Sequence, residues 1–484
     1  MTDLLADRVA ATPERTALVD AGSGESWTFR DLDARTDAVA AGLAEAGVSS
    51  GDRVGVLAPT CPALVSFHHA LARLGAVAVV LHTRQPSSAL RERMRQAGVE
   101  TLCYDASLEE HAHAADDVLS TALAIDDLPV EGEPSTAAFD PRSPEETAVV
   151  AFTSGTTGDP KGVRLTTANL RESAEASAYR LGVSPGDRWL CCLPMCHMGG
   201  LAPIFRTAVY GTTLVVQRRF DARVTPSVID DHGVTGVSLV PTMLERLLSA
   251  EWSPPAHLDT VLLGGAPARE ELLDSAAEAG VPVSPTYGTT ETASQIATAT
   301  PAQARDHPGT VGQPLFGTTV RVVDDGTPVQ RGATGEIVVD GPTVSPGYLD
   351  EDATDEAFDD DGLHTGDLGY RDADGRLWVV GRVDDMIVTG GENVAPASVE
   401  STLREHPDIE DAAVVGLPDP EWGEAVASLV VGDVIPTTVE TFCRARLADH
   451  EVPKTIAIAE SLPRTESDTV DREAVRSMLE TERR

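Results

Sequence analysis

The chain has 484 residues, 42% of them hydrophobic and 24% charged, which is typical of a globular protein with more than one domain. Its 77 acidic residues against 37 basic ones give a formal net charge of −40, which argues against nucleic acid and anionic membranes as partners. No apolar run approaches the ~20 residues that cross a bilayer, and the N-terminus carries acids where a signal peptide carries cations. We therefore expect a soluble, cytoplasmic protein.

The basic residues are almost all arginines, since Lys161 and Lys454 are the only lysines in the sequence. An acidic, lysine-poor surface is typical of halophilic proteins, because about 1 M salt screens exposed charges over roughly 3 Å. An acidic protein of an ordinary cytoplasm is the alternative. In such a chain a specific role is expected for a remaining lysine, and for Lys454 a purely structural role is the alternative.

The first two thirds of the chain alternate helical and strand patterns. Residues 32–46 have the periodicity of an amphipathic helix, and 53–57 that of a strand. Residues 147–152 are a short apolar run that predicts a buried strand, and two further strands are expected at 261–263 and 281–285. This alternation predicts α/β layers, with ligands gathered at the C-terminal ends of the strands.

After about Gly317 the pattern changes to short strands, as at 320–323 and 336–339, and it changes again near Asp384. We predict an α/β fold with a large N-terminal domain, residues 1–381, of layered α/β subdomains plus a β-rich portion. A small, mobile C-terminal α+β domain, residues 384–484, follows a hinge near Asp384. Its expected helices and strands are 396–404, 412–415, 427–431 and 439–447, with Pro396 as a first helical residue.

A Gly/Thr-rich string follows the strand predicted at 147–152. It reads Thr153-Ser154-Gly155-Thr156-Thr157-Gly158-Asp159-Pro160-Lys161-Gly162. Unobstructed backbone N–H groups, hydroxyls and one cation together make a cradle for an anion. The string is not a Walker A loop, because Gly162 stands where that loop needs a hydroxyl residue, and this argues against a kinase of that class.

A second string, Thr286-Tyr287-Gly288-Thr289-Thr290-Glu291, combines an aromatic plane, hydroxyls and a carboxylate, which suit a nucleotide with its Mg²⁺. Three shorter strings complete the set: Gly264-Gly265-Ala266-Pro267, His364-Thr365-Gly366-Asp367 and Gly381-Arg382-Val383-Asp384-Asp385. In their order and over nearly the whole chain, these five strings resemble the adenylate-forming (acyl-CoA synthetase) superfamily.

The resemblance implies an ATP-dependent acid–CoA ligase, which makes an acyl-AMP, transfers the acyl group to CoA, and rotates its small domain at Asp384 between the two steps. It implies that Tyr287 packs on adenine, Thr290 contacts the α-phosphate, Glu291 holds Mg²⁺ and Asp367 accepts the ribose hydroxyls. The implied nucleotide-binding set is Thr153, Ser154, Gly155, Thr156, Thr157, Gly158, Gly265, Ala266, Pro267, Tyr287, Gly288, Thr289, Asp367 and Arg382. The implied catalytic set is Lys161, Thr290, Glu291 and Lys454.

One position departs from the family. Thr469 stands where the family carries a lysine that assists adenylation, and Asp468 stands at the preceding glycine. Loss of one preorganised cation costs roughly 10²–10³ in rate if nothing replaces it. Three interpretations stay open: Lys454 or an arginine substitutes, adenylation is slow, or the chain is a degenerate, non-ligating nucleotide-binding relative.

The acid substrate is expected between the two large strings, where His197, Arg246, Ser294 and Gln295 supply a cation and hydrogen-bond donors. Residues 292–296 resemble the o-succinylbenzoate–CoA ligases of menaquinone biosynthesis, and 381–400 resemble benzoate-type aryl-acid ligases almost as well. The resemblance therefore implies o-succinylbenzoate, with another aryl acid as the alternative. Loading of a carrier protein instead of CoA is a further alternative, and a homodimer is an open assembly.

Six cysteines are scattered except for the string Cys191-Cys192-Leu193-Pro194-Met195-Cys196-His197. It lacks a second pair of ligands at a zinc-like spacing, so the sequence favours buried thiols beside a functional His197.

Overall fold

The computed structural model describes residues 3–113, 118–131, 143–153, 160–464 and 470–482. Its helices are α1 Leu4–Ala11, α2 Phe29–Glu45, α3 Pro62–Leu74, α4 Ser87–Ala97, α5 Glu109–His113, α6 Thr167–Leu181, α7 Met198–Tyr210, α8 Thr225–Asp231, α9 Pro241–Ser249, α10 Glu270–Glu278, α11 Pro301–Asp306, α12 Glu351–Ala357, α13 Pro396–Arg404, α14 Pro436–Arg444 and α15 Arg472–Glu482. Its strands are β1 Thr16–Asp20, β2 Ser26–Thr28, β3 Arg53–Leu57, β4 Val77–Val80, β5 Thr101–Tyr104, β6 Thr121–Ala124, β7 Thr147–Phe152, β8 Gly162–Thr166, β9 Arg188–Cys191, β10 Thr213–Val216, β11 Gly236–Leu239, β12 Thr260–Leu263, β13 Val283–Tyr287, β14 Ala297–Thr298, β15 Gln313–Pro314, β16 Thr319–Asp324, β17 Thr327–Pro328, β18 Gly335–Asp340, β19 Phe358–Asp359, β20 Gly362–Arg371, β21 Leu377–Arg382, β22 Ile387–Thr389, β23 Glu392–Val394, β24 Ile409–Asp419, β25 Gly423–Gly432 and β26 Thr455–Ala459.

Two sheets with parallel centres dominate the first part of the chain. The nine-stranded sheet has the order β15-β14-β13-β12-β11-β9-β10-β1-β2, and the six-stranded sheet has the order β6-β5-β3-β4-β7-β8. Strands β1, β9, β10, β11, β12 and β13 pair in parallel, whereas β2, β14 and β15 join at the two edges in antiparallel pairs. The centre strands are buried on both faces, as parallel strands covered by helices must be.

Two smaller sheets follow. One has the order β17-β16-β18-β20-β19, with β21 paired to β20; the other has the order β23-β22-β25-β24, with β26 paired to β25. In the second of these, β24 and β25 form a long antiparallel pair, and β26 joins β25 in parallel. Helices α13, α14 and α15 complete the α+β arrangement that the sequence predicts for the end of the chain. The predicted α/β fold class is thus confirmed.

The chain divides into two compact units. The first comprises Met1–Val320, Val338–Leu363 and Gly375–Leu377, and the second comprises Arg321–Ile337, His364–Asp374 and Trp378–Arg484. The division predicted at 381–384, with its hinge, stays a prediction. Among the described residues, no helix has the length and apolar character needed to span a membrane.

Most predicted elements are present, and their ends differ where capping outweighs hydrophobic periodicity. Helix α2 begins at Phe29, because Thr28 and Asp31 form a reciprocal capping box before the apolar pattern starts. Helix α13 begins at Pro396, as predicted. Helix α14 begins at Pro436 rather than 439, because a proline at the first helical position gives up no hydrogen bond there.

Helix α3 carries a pair of adjacent buried histidines inside the core of the first unit. His68 packs edge-on against Phe205, and neither of its ring nitrogens has a hydrogen-bond partner among the residues that the structure describes. Burial, with a smaller contribution from the neighbouring His69, lowers the pKa of His68 to about 3, and burial lowers the pKa of His69 to about 4. Both rings are therefore neutral in the folded chain at pH 7.

This pair predicts a loss of stability in mild acid. The unfolded histidine binds a proton below its pKa of about 6.5 and the folded one does not, so stability is present above that pH and falls as pH decreases. From pH 7 to pH 5 we expect each buried histidine to lower the free energy of unfolding by about 2 kcal/mol. Denaturant unfolding of His68→Leu should show a shallower pH dependence, whereas the exposed His113→Gln should keep the original one. An unchanged slope in His68→Leu would contradict the neutral state of this ring.

Candidate active site

Two glycine-bearing turns lie side by side at the C-terminal edge of the nine-stranded sheet. Strands β12 and β13 are parallel neighbours, with Leu263 opposite Pro285, so the turns that follow them are adjacent. Gly264 lies against Thr286, and Gly265 has a φ of +83°, which favours glycine. Ala266 and Pro267 continue this turn towards α10. The sequence-predicted adenine-side residues therefore come together at one sheet edge.

The turn after β13 is held in an unusual backbone conformation. A Cβ atom on Gly288 would lie 1.6 Å from the carbonyl oxygen of Ser294, so only glycine fits there. Ala293 and Ser294 have φ values of 52° and 125°, in a region that side-chain-bearing residues rarely adopt. The Ser294 N–H donates to the Thr289 carbonyl, and the Ser173 hydroxyl donates to the Ala293 carbonyl. Backbone strain of this kind marks functional sites.

The Gly/Thr-rich string joins β7 and β8, which form an antiparallel pair. The Thr153 N–H donates to the Lys161 carbonyl at 3.0 Å, closing the base of the connection. Five predicted cradle residues, Ser154, Gly155, Thr156, Thr157 and Gly158, lie outside the described residues. Lys161 is half-buried at the end of the connection.

Tyr348 contacts both the Gly/Thr-rich string at 153–162 and the string at 286–291. The Lys161 Nζ atom lies 5.1 Å from the centre of the Tyr348 ring, and the Tyr348 hydroxyl donates to Glu291 Oε1 at 2.8 Å. The neighbouring Ser345 N–H donates to the Glu291 carbonyl. The predicted phosphate-binding cation and the predicted Mg²⁺ carboxylate are therefore joined through one aromatic residue.

Sequence reasoning missed Tyr348, because the string Ser345-Pro346-Gly347-Tyr348 looks like an ordinary turn. Its position depends on pairing between distant segments: Tyr348 bridges Val163, and the Leu349 N–H donates to the Gly162 carbonyl. The available signal in the sequence was the tyrosine itself, because a tyrosine hydroxyl needs a hydrogen-bond partner wherever its ring is buried.

Tyr348→Phe should release the Glu291 carboxylate without opening a cavity. A hydrogen bond to a charged group contributes about 1.5–3 kcal/mol, so we expect about a 10-fold loss in the rate of pyrophosphate release, eased by raised Mg²⁺. The measurement is a Mg²⁺ titration at fixed ATP, with the exposed Tyr179→Phe as the matched control. Equal rates in Tyr348→Phe and the unmutated chain at every Mg²⁺ concentration would rule out this positioning role.

A buried arginine contacts two of the predicted acid-binding residues. Arg206 of α7 is 7% exposed, and its Nη2 atom donates to Gln295 Oε1 at 2.9 Å and to the Ser294 hydroxyl at 3.3 Å. Gln295 in turn donates to the Thr298 hydroxyl, which shares a hydrogen bond with Thr286. Burial lowers the pKa of Arg206 from its usual value, and no described carboxylate forms an ion pair with it. Within the described part of the chain, the hydrogen-bond partners of this guanidinium are therefore neutral.

Arg246, the cation that the sequence analysis selects for the acid, is an exposed residue of α9. The role of Arg246 stays a prediction, and the cation in contact with Ser294 and Gln295 is Arg206. The signal for it was a single charge inside the apolar run of α7, whose residues 200–208 are all buried. His197 precedes α7, and its ring lies 5.1 Å from that of His82. Burial lowers the pKa of His82 to about 4.

The second unit carries the predicted ribose residues in direct contact. Asp367 is buried on β20, and its Oδ1 atom accepts from Arg382 Nη1 at 2.9 Å. Glu336 orients this strand by accepting from the Gly366 N–H and contacting His364 Nδ1. A carboxylate fixed by a guanidinium on one side keeps oxygen lone pairs for further donors.

The predicted hinge residue and the second lysine also lie in this unit. Asp384 is exposed in the turn between β21 and β22, and the adjacent Asp385 pairs with Arg472 at 3.1 Å. Lys454 is exposed, and its Nζ atom lies 4.4 Å from the centre of the Trp422 ring. Thr469 and Asp468 lie outside the described residues.

A cavity of about 270 Å³ lies in the first unit at the opposite, N-terminal edge of the nine-stranded sheet. The cavity is lined by Ser177, Trp189, Tyr210 and Thr260. Arg206 also lines it, and the same side chain contacts the strained turn, residues 288–294, at Ser294. None of the sequence-predicted site residues that the structure describes lines it. The chemistry-bearing side chains mark the C-terminal edge instead, and we place the site there.

Comparison with known proteins agrees with this geometry. The family model of the AMP-binding enzymes matches residues 5–349, and that of the AMP-binding enzyme C-terminal domain matches residues 398–468. The chain is 39% identical over 487 residues to the 2-succinylbenzoate–CoA ligase of Bacillus mycoides (strain KBAB4), covering 99% of both.

Solved structures extend the likeness to the whole fold. The Bacillus subtilis o-succinylbenzoate–CoA synthetase in complex with its acyl-adenylate intermediate is 35% identical over 98% of both chains, with a TM-score of 0.92. The same enzyme in complex with ATP and magnesium ion covers 99% of both chains, also at a TM-score of 0.92. The fatty acyl-CoA synthetase of Mycobacterium tuberculosis is more distant, at 28% identity and a TM-score of 0.81.

Proposed function

This chain belongs to the AMP-binding enzyme family, and from that premise we propose that it joins 2-succinylbenzoate to CoA at the expense of ATP. The product, succinylbenzoyl-CoA, would serve menaquinone biosynthesis. The observation that carries the choice of acid is the buried Arg206, bonded to Ser294 and Gln295.

The charge of the acid explains why Arg206 supports this substrate. 2-Succinylbenzoate is a dicarboxylate, so one carboxylate remains charged while the other is activated. A buried charge is costly unless it meets an opposite one, and Arg206 is a buried cation with neutral described partners. A benzoate with no second carboxylate would leave this guanidinium uncompensated. The site therefore favours a dicarboxylate over a simple aryl acid.

The reaction proceeds in two displacements. An oxygen of one carboxylate attacks the α-phosphorus of ATP and pyrophosphate leaves, which gives a mixed anhydride, the acyl-AMP. The CoA sulfur then attacks the acyl carbon, the bond from that carbon to the AMP oxygen breaks, and the thiol proton passes to solvent. Both steps need positioning and charge neutralisation more than covalent help from the protein.

Residues of each unit match these needs. In the first unit, Lys161 would neutralise phosphate charge and Thr290 would donate to the α-phosphate. In the second unit, Asp367 would accept from the ribose hydroxyls. Glu291 offers the carboxylate oxygen that Mg²⁺ prefers, and when bound that ion would neutralise phosphate charge. Tyr348 holds Glu291 in one orientation through its hydroxyl.

Lys454 is our proposed replacement for the lysine that is absent at Thr469. Lys454→Ala should slow acyl-AMP formation by about 10²-fold, in line with loss of a preorganised cation, and should spare thiolation of synthetic acyl-AMP. Single-turnover measurement of each half-reaction tests this, with Trp422→Leu showing how far the aromatic ring positions the lysine. Equal losses in both half-reactions would rule out a role specific to adenylation.

A pyrophosphate-release assay with ATP, Mg²⁺, CoA and a panel of acids tests the function. We expect turnover with 2-succinylbenzoate and at least about 10-fold lower kcat/KM with benzoate and 4-chlorobenzoate, since a lost charge pair is worth more than 1.4 kcal/mol. Faster reaction of the benzoates would move the chain to the aryl-acid ligases. ATP binding without turnover of any acid would favour the non-ligating alternative, and transfer to a carrier protein but not to CoA would favour a loading module.

The solution properties expected from the sequence belong to this proposal as well. With a net charge of −40, we propose a halophilic protein, whose activity and melting temperature rise between 0.1 and about 1 M KCl because self-repulsion is screened. A cytoplasmic location and a homodimer complete the proposal. Sedimentation at high salt would distinguish the homodimer from a monomer.

A further inference from the structure

Three side chains of the types that bind metals, those of His82, Cys196 and His197, meet in the first unit. One ligand atom from each of His82, Cys196 and His197 lies within 4.8 Å of the others, and the rings of His82 and His197 have centroids 5.1 Å apart. His82 is buried, and Cys196 and His197 are half-buried. The sequence shows no second pair of ligands near the cysteine string. In the fold, His82, which follows strand β4, lies beside Cys196 and His197.

The scaffold holds both contributing segments. His82 follows the C-terminal end of β4, and Cys196 and His197 lie between β9 and α7. The Thr60 hydroxyl donates to the Leu193 carbonyl and accepts from the Met195 N–H, so the loop before Cys196 is fixed to the segment after β3. The His197 N–H donates to the Pro194 carbonyl, which tightens the same loop. Metal sites need ligands on such supported segments.

We propose that His82, Cys196 and His197 bind a zinc-class divalent cation with one coordination position left to water. Imidazole nitrogen and thiolate sulfur are the donors that Zn²⁺ selects, and Mg²⁺ and Ca²⁺ prefer oxygen ligands. Tetrahedral zinc places such donors about 3.3–3.6 Å apart, so ligand atoms that now lie within 4.8 Å of one another must approach by up to about 1.5 Å. On binding, the Cys196 thiol loses its proton to solvent, and the thiolate offsets one of the two metal charges.

Two features of the cluster disfavour a bound cation and limit the affinity of the site. Arg84 and Arg93 contribute positive potential at His82, and the Arg84 N–H donates to His82 Nδ1 at 3.1 Å. A cation at that nitrogen must displace this hydrogen bond. We therefore expect a reversible site that chelators empty, unlike a structural zinc site closed by four protein ligands.

The second part of the inference rests on the proposed function. His197 lies in the loop that we assign to the acid, so a cation held there would exclude or misplace the acid. Zinc-class cations should then inhibit acyl-AMP formation in competition with 2-succinylbenzoate and not with ATP. The site thus gives the ligase a sensitivity to free zinc.

Cobalt(II) binding to the chelator-treated full-length chain tests the site without any turnover. We expect one equivalent of Co²⁺ to give visible bands with a thiolate-to-cobalt charge-transfer band, and Zn²⁺ to displace it. Cys196→Ser should lose the charge-transfer band, and His82→Asn should weaken Co²⁺ binding by at least about 100-fold. The matched control is Cys192→Ser, a buried thiol outside the cluster. Absence of the band, or its survival in Cys196→Ser, would overturn the proposal.

Inhibition by Zn²⁺ distinguishes the metal site itself from its proposed competition with the acid. We expect Zn²⁺ to inhibit pyrophosphate release in the unmutated chain, and we expect Cys196→Ser, compared with its own rate without zinc, to need at least about 100-fold more Zn²⁺. A cobalt band with no zinc inhibition would keep the metal site and overturn its link to the acid. A chain that turns over no acid yet shows the band would refute the proposed function and leave the metal site intact.

Discussion

Arg206→Met is expected to lower kcat/KM for 2-succinylbenzoate by about 10²–10³-fold, because removing one member of a buried charge pair costs about 3–4 kcal/mol. Methionine keeps the length and apolar volume of the side chain, so α7 should remain packed. The KM for ATP should change by less than about twofold, since Arg206 has no hydrogen bond to any of the predicted nucleotide-binding residues that the structure describes. Steady-state kinetics with each substrate varied in turn provide the measurement.

The sequence supplies a matched control for this variant. Arg246 was the cation expected from the sequence, and it is exposed on α9. Arg246→Met should therefore leave kcat/KM within about twofold of the unmutated chain, as surface substitutions do. If Arg246→Met loses activity and Arg206→Met keeps it, the acid lies elsewhere and our assignment of the second carboxylate is wrong.

Gly288→Ala is expected to abolish most acyl-AMP formation, with a loss of about 10²-fold or more. The added Cβ atom would lie 1.6 Å from the Ser294 carbonyl oxygen, so the backbone must move by more than 1 Å to accept it. A misplacement of about 1 Å costs about 10²-fold in a positioned reaction, and this turn carries both Thr290 and Ser294. Single-turnover formation of acyl-AMP at saturating ATP measures the loss directly.

Gly186→Ala is the control for this second variant, because nothing lies within 4 Å of the Cβ position there. It should retain full activity. Thermal unfolding of Gly288→Ala distinguishes a local displacement from global destabilisation: a folded protein with lost activity supports the displacement. Normal acyl-AMP formation in Gly288→Ala would mean that the turn relaxes freely and does not position the reaction.

Local chemistry made much of this molecule predictable from its sequence. Strands β3 and β7 have the predicted bounds, because short apolar runs ended by turn residues have one good solution in a parallel sheet. Helix α13 begins at its predicted proline for an equally local reason. Strand β13 begins two residues later than expected, since the apolar run starts before its pairing with β12 does. Register is a property of two strands and not of one.

The missed site residues share a different cause. Tyr348 and Arg206 contact segments far away along the chain, at Glu291 and at Ser294 and Gln295. Neither hydrophobic periodicity nor a local motif predicts a contact between residues so far apart in the sequence. The third ligand of the proposed metal site, His82, could not be predicted for the same reason. It lies far from Cys196 along the chain, and the two meet only in the folded protein.

The buried charge of Arg206 also bears on how long the protein lasts in a cell. No carboxylate among the described residues pairs with this guanidinium, and a buried guanidinium without a counterion lowers the stability of a folded chain. A dicarboxylate that binds as we propose would supply the counterion and raise that stability. The folded population that escapes proteases should then grow with the concentration of the acid. Supply of the metabolite would thereby set the abundance of the enzyme that consumes it, with no change in its synthesis.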